Sequence, residues 1–129
     1  MVESEDQAID VLLIEDDEQF LEMYRLRLER DGYRVHTATD GEQGLALAAQ
    51  LMPGIVFLDL RLPKIDGFEV LRRLRADEAT AGLPIVILSN HGEQEIIEQG
   101  LELGALEFLV KAQTTPVELS EGIEEWLKE

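Results

Sequence analysis

The chain has 129 residues, about one domain's worth, and its 45% hydrophobic and 30% charged residues suffice to bury a core, which excludes a disordered or collagen-like polymer. Cysteine is absent, so disulfides, thiolate metal sites and cysteine nucleophiles are excluded as well. Twenty-eight acids against eleven bases leave a net charge of −17, which repels a duplex phosphate backbone or an anionic bilayer. The longest unbroken apolar stretch, Leu45 to Ala49, is far short of the ~20 residues of a membrane helix. The acidic opening (Met1-Val2-Glu3-Ser4-Glu5-Asp6) has the wrong charge for a targeting segment. These features predict a cytoplasmic protein that binds neither membrane nor nucleic acid directly. They also predict one domain over residues 1–129, with 1–8 a flexible N-terminal segment.

In chain order, the first predicted strand is 10–15, carried by Val11-Leu12-Leu13-Ile14. A helix over 17–31 follows, with Phe20, Tyr24 and Leu28 recurring every fourth residue. Strand 33–37 alternates polar and apolar residues, a pattern suited to a sheet edge. Helix 40–52 opens on Asp40 with Gln43 at N-cap spacing. Strand 54–59 is the run Ile55-Val56-Phe57-Leu58, and helix 66–77 opens on a second cap pair, Asp66 and Glu69. Strand 84–89 contains Ile85-Val86-Ile87-Leu88. Helix 92–103 carries Ile97 and Leu101, with Ala105 continuing their four-residue spacing. Strand 106–110 holds Phe108-Leu109-Val110, and helix 115–128 begins with a capping box, Thr115-Pro116-Val117-Glu118.

Short continuous aliphatic runs suit strands covered on both faces, and strict β/α alternation implies a parallel sheet with right-handed crossovers. The more polar second and fifth strands belong at the edges. The simplest order is 2-1-3-4-5, an open doubly wound α/β sheet whose ligand site lies beyond the carboxyl ends of the strands, between the first and third.

Each buried run ends in a residue capable of chemistry. The first ends in Glu15-Asp16-Asp17, the third strand in Asp59, the fourth in Ser89 and the fifth in Lys111. All these ends emerge on one edge of a parallel sheet, which predicts a pocket of three or four carboxylates, a hydroxyl and one ammonium. Two carboxylates ~5 Å apart repel by roughly 3 kcal/mol at an effective dielectric near 20. Lys111 alone does not offset three of them, and an all-oxygen donor set suits a hard cation, Mg²⁺. Glu15 and Asp16 form the paired cation site. Ser89 and Lys111 are placed to hold phosphoryl oxygens. Asp59, alone at the end of a central strand, is the candidate nucleophile for Mg²⁺-assisted phosphoryl transfer.

Together, Ile14-Glu15-Asp16-Asp17, Phe57-Leu58-Asp59-Leu60-Arg61-Leu62-Pro63, Asp66-Gly67, Ser89 and Gly104-Ala105 through Lys111 resemble a response-regulator receiver domain over roughly residues 9 to 128. The resemblance implies a flavodoxin-like (βα)₅ fold and transfer of phosphate to Asp59 from a phosphohistidine on a histidine kinase or phosphotransfer protein. It implies Mg²⁺ held by Glu15, Asp16, Asp59 and the main-chain carbonyl of Arg61. By the same resemblance Ser89 hydrogen-bonds the phosphoryl group, Lys111 pairs with it, and Phe108 is a switch aromatic that moves with Ser89. The output is a remodelled surface on the fourth and fifth helices and fifth strand that binds a downstream protein. Such a domain catalyses its own phosphorylation and dephosphorylation without being a turnover enzyme, as a monomer or a phosphorylation-dependent homodimer.

Three positions depart from the pattern. Ala112 follows Lys111 where a cis proline is common; a cis non-proline bond costs about 2.5–4 kcal/mol, so a trans and differently shaped loop is expected. Phe108 lacks the hydroxyl of the frequent tyrosine. Asn90 follows Ser89 where a small residue is usual and, with Arg61 and His91, bears on phosphoryl access and lifetime. His36 and His91 read as surface histidines, and Leu101, Leu103 and Trp126 as core or a dimer face. Two other functions compete. A phosphate-independent interaction module is compatible with Ala112. An aspartyl-nucleophile Mg²⁺ phosphohydrolase would need an acid two residues beyond Asp59, where Arg61 stands. With nothing beyond the last predicted helix, no DNA-binding or catalytic output domain is expected; the chain is a stand-alone regulator or a piece of a longer protein.

Overall fold

The computed structural model describes residues 8–128. Of the expected flexible segment 1–8, all but Ala8 lie outside the described residues. Strands and helices alternate as β1 (Asp10–Ile14), α1 (Glu18–Arg30), β2 (Arg34–Ala38), α2 (Gly41–Leu51), β3 (Ile55–Leu58), α3 (Gly67–Ala76), β4 (Ile85–Ser89), α4 (Gln94–Glu102) and β5 (Glu107–Val110). A 3₁₀ turn, Lys111–Gln113, then leads into α5 (Pro116–Trp126). All pairings are parallel, in the order β2-β1-β3-β4-β5.

The register explains why the aliphatic runs are continuous. Leu13 lies beside Phe57, and Phe57 beside Val86; their neighbours Ile14, Leu58 and Ile87 point the other way. Leu13, Phe57 and Val86 meet Tyr24 and Leu28 of α1 and Leu119 and Ile123 of α5. Ile14, Leu58 and Ile87 meet Ala48 of α2, Leu71 of α3 and Phe108. Both faces of the three central strands are dry, so alternation has no solvent side to show there.

The caps fall where their spacing predicts. Asp40 accepts from the Gln43 N–H at 2.8 Å, and Asp66 from the Glu69 N–H at 3.0 Å. Thr115 and Glu118 form both halves of the capping box. α4 starts two residues later than predicted, because Glu93 stands at its N-cap without a side-chain hydrogen bond. Of the two readings for Leu101, core or a dimer face, its 43% exposure removes the core. Leu103 packs on the α2–α4 side of the core, and Trp126 meets Phe57 edge-on at 5.8 Å.

At the opposite end of β1, His36 is not the isolated surface histidine its sequence context suggests. It is half-buried, and its Nε2 lies 2.9 Å from Asp10 Oδ1, which also accepts from Arg34 Nε at 2.6 Å. Arg34, then His36, hold the Asp10 carboxyl below the usual carboxylate range. No helix among the described residues is long and apolar enough to cross a membrane.

Candidate functional site

Ile14, Leu58, Ser89 and Val110 end their strands on one edge, so the residues that follow converge. Backbone bonds extend this order: the Asp59 N–H donates to the Ile14 carbonyl at 3.0 Å, and the Glu15 N–H to the Ala38 carbonyl at 2.9 Å. Glu15 and Asp59 are only 5% and 6% exposed, and Lys111 4%. The Lys111 ammonium lies 2.5 Å from Glu15 Oε1 and 3.4 Å from Asp59 Oδ2. Its tighter partner is therefore Glu15. Asp16 is exposed and lines a cleft of about 580 Å³ with Arg61, Asp66, Phe68 and His91.

Asp17 is not a fourth carboxylate of the pocket. Its side chain caps α1, accepting from the Gln19 N–H at 2.9 Å and the Phe20 N–H at 3.3 Å. Its own N–H donates to Glu15 Oε2 at 3.0 Å, which orients the Glu15 carboxylate. Ser89 is buried at the end of β4, and its hydroxyl accepts from the His91 N–H at 3.0 Å. The Arg61 N–H faces Asp59 Oδ1 at 3.5 Å, while the Arg61 side chain is exposed. Phe108 is buried beneath α4 in the same core as Ile87. All peptide bonds among the described residues are trans, that between Lys111 and Ala112 included, as Ala112 predicts. The short 3₁₀ turn closes with the Thr114 N–H on the Lys111 carbonyl at 3.2 Å.

Two features escaped the sequence reading. Phe20, read only as part of a helix stripe, places its ring centroid 4.7 Å from the Lys111 ammonium. Gly67 brings the start of α3 against the Asp59–Leu60 backbone, its N–H donating to the Leu60 carbonyl at 2.9 Å. A glycine directly after a cap aspartate was the available signal for that close approach.

Electrostatically the site holds more negative charge than Lys111 neutralises. Burial pushes the Glu15 carboxyl up from 4.5 to about 7, against the opposing pull of Lys111 and the Asp17 N–H. The folded state therefore holds the Glu15 proton more tightly than the unfolded chain does, and unfolding releases it between these two values. The stabilisation from that proton is complete below about 4.5 and is lost as pH rises towards 7. Chemical denaturation in chelator from pH 5 to 8 is expected to show this decline, and Glu15→Gln to flatten it.

The donor set fits a hard divalent cation. Glu15, Asp16 and Asp59 each offer a carboxylate oxygen, all within 4.8 Å of one another, with no nitrogen or sulfur ligand in the group.

A family model described as the response regulator receiver domain matches residues 11–124. The chain belongs to the response regulator receiver domain family. This receiver domain is 45% identical over 101 residues to the DNA-binding dual master transcriptional regulator RpaA of Synechocystis, covering 78% of this chain and 42% of that protein. It is likewise 45% identical over 101 residues to the transcriptional regulatory protein AfsQ1 of Streptomyces coelicolor, covering 78% of this chain and 44% of the other. The receiver domain thus spans less than half the length of these curated relatives. Among solved structures, the receiver domain of the sensor histidine kinase PA1611 from Pseudomonas aeruginosa, with magnesium in its active-site cleft, superposes with a TM-score of 0.85 at 29% identity over 93% of this chain and 98% of that one. The chemotaxis response regulator CheY4 of Vibrio cholerae gives a TM-score of 0.85 at 28% identity, over 93% and 99% of the two chains. The flavodoxin-like fold and the two-component signalling class follow.

Proposed function

We propose that this receiver domain, acting in the cytoplasm, takes a phosphoryl group on Asp59 from a phosphohistidine of a histidine kinase or phosphotransfer protein, with Mg²⁺ as cofactor. The observation that carries this reading is the Lys111 ammonium between two buried carboxylates, Glu15 and Asp59, with Asp16 at the cleft beside them. An Asp59 carboxylate oxygen attacks phosphorus, an acyl P–O bond forms, and the P–N bond breaks with its electron pair leaving on the imidazole. When bound by Glu15, Asp16, Asp59 and the Arg61 main-chain carbonyl, Mg²⁺ supplies charge neutralisation for the incoming phosphoryl oxygens. Lys111 is buried beside Asp59, so its attraction for the charge that builds on the transferring group is little screened. Ser89 supplies a hydroxyl from the neighbouring strand. Turning it towards the phosphoryl group breaks its bond to the His91 N–H and loosens the β4–α4 turn. Phe108, buried beneath α4, then has a changed neighbour, which couples Asp59 chemistry to the α4-β5-α5 surface.

That surface also speaks to its partner. Every ionisable residue of α4, β5 and α5 is a glutamate, and all are exposed. Like charges oppose the docking of two copies through this face, so the charge favours a monomer bound to a cationic downstream protein. Arg61 occupies the place where a phosphohydrolase would need an acid, and it weighs against turnover chemistry.

The test is incubation with acetyl phosphate, with and without Mg²⁺, followed by intact mass. Mg²⁺-dependent gain of one phosphoryl group is expected, and Asp59→Asn should abolish it. A parent protein that takes up no phosphate under any condition would point instead to a phosphate-independent interaction module.

A further inference from the structure

We propose that Phe20 is a positioning residue for Lys111: its ring is the seat on which the ammonium rests while it changes partner from Glu15 to the phosphoryl group on Asp59. The inference rests on the phosphoacceptor reading above. The ring centroid is 4.7 Å from the ammonium nitrogen, within the range where the negative face of an aromatic ring attracts a cation. Lys111 is nearly dry, so this attraction is little screened.

The geometry gives the ring a task that the carboxylates cannot perform. Lys111 is held at 2.5 Å by Glu15 and at 3.4 Å by Asp59, a lopsided division in the unphosphorylated state. Phosphorylation adds negative charge on the Asp59 side, and the ammonium must release its tight hydrogen bond to follow. A ring face attracts without a directional acceptor and without titrating, so it steadies the ammonium throughout the exchange.

Phe20 is itself fixed from two sides. Its N–H is bound by the Asp17 cap, and its ring stacks on Tyr24 at 6.0 Å and 17°. Tyr24 is buried, and its hydroxyl reaches the Thr114 carbonyl at 3.4 Å, just past the 3₁₀ turn that begins with Lys111. The aromatic pair therefore ties the first turns of α1 to the backbone that carries the lysine.

The test compares the parent with Phe20→Leu, which keeps an apolar side chain but removes the ring, and with Phe20→Tyr, which restores it. Acetyl phosphate phosphorylation in Mg²⁺ is expected to slow about tenfold in the leucine variant and to return to within about twofold of the parent in the tyrosine variant. The signature specific to seating is the ring-current shift of the Lys111 ε-methylene protons, present in the parent and in Phe20→Tyr and lost in Phe20→Leu. An unchanged rate in Phe20→Leu, or a slowed rate with the Lys111 protons unmoved, would overturn the seat while leaving Asp59 as acceptor. A parent with the ring-current shift but no phosphate uptake would overturn the phosphoacceptor reading instead, and with it the partner exchange.

Discussion

Lys111→Met is expected to lower stability at pH 8 by about 3 kcal/mol and to slow phosphorylation of Asp59 by about 10²–10³-fold. Both effects come from one deletion. Glu15 and Asp59 are buried, and Lys111 is the cation between them, so removing it leaves two carboxylates facing each other out of water. The stability loss should shrink towards pH 5, because Glu15 already has a raised carboxyl and takes up a proton once its counter-charge is gone. Urea unfolding at the two pH values measures this, and equal stability of variant and parent at pH 8 would contradict it. Saturating Mg²⁺ should restore part of the stability by supplying positive charge to the same oxygens.

Gly67→Ala is the second large effect, and it acts through the backbone. A Cβ at Gly67 would land on the Asp59 carbonyl oxygen and within 2.6 Å of Leu60 Cα. Neither atom belongs to a flexible side chain, so the β3–α3 connection must move. A cost of about 3 kcal/mol is expected, and displacement of the segment carrying Asp59 should slow phosphotransfer by about 10²-fold. Gly82→Ala is the control, since its added Cβ meets nothing within 4 Å and should leave both quantities near parental values. Denaturation midpoints and acetyl phosphate kinetics on the two variants decide the matter.

The parts of this molecule that could be read beforehand are those set by local chemistry or by sheet topology. Asp40, Asp66 and Thr115 announced their helices because each cap bond spans three residues. Glu15, Asp59 and Lys111 announced the site because parallel strands bring their carboxyl ends together wherever the intervening helices lie. What stayed hidden depends on side-chain packing between elements distant in sequence. Phe20 looked like any helix aromatic until α1 was placed over Lys111. Asp17 looked like one more carboxylate of the pocket because it follows Glu15 and Asp16 at a strand–helix junction, where an N-cap aspartate is equally at home. His36 seemed isolated because Asp10 lies 26 residues away and joins it only through the β1–β2 pairing. Leu101 kept the helical period of its neighbours and still faces solvent, since period alone does not say how wide the covered face is.

The most direct measurement reduces the phosphorylated protein with borohydride, which converts an aspartyl phosphate to homoserine, and then locates the change by peptide mass. Homoserine at position 59 and nowhere else is the predicted result. Homoserine elsewhere, or a phosphorylated protein whose Asp59 survives reduction intact, would contradict the assignment of the acceptor.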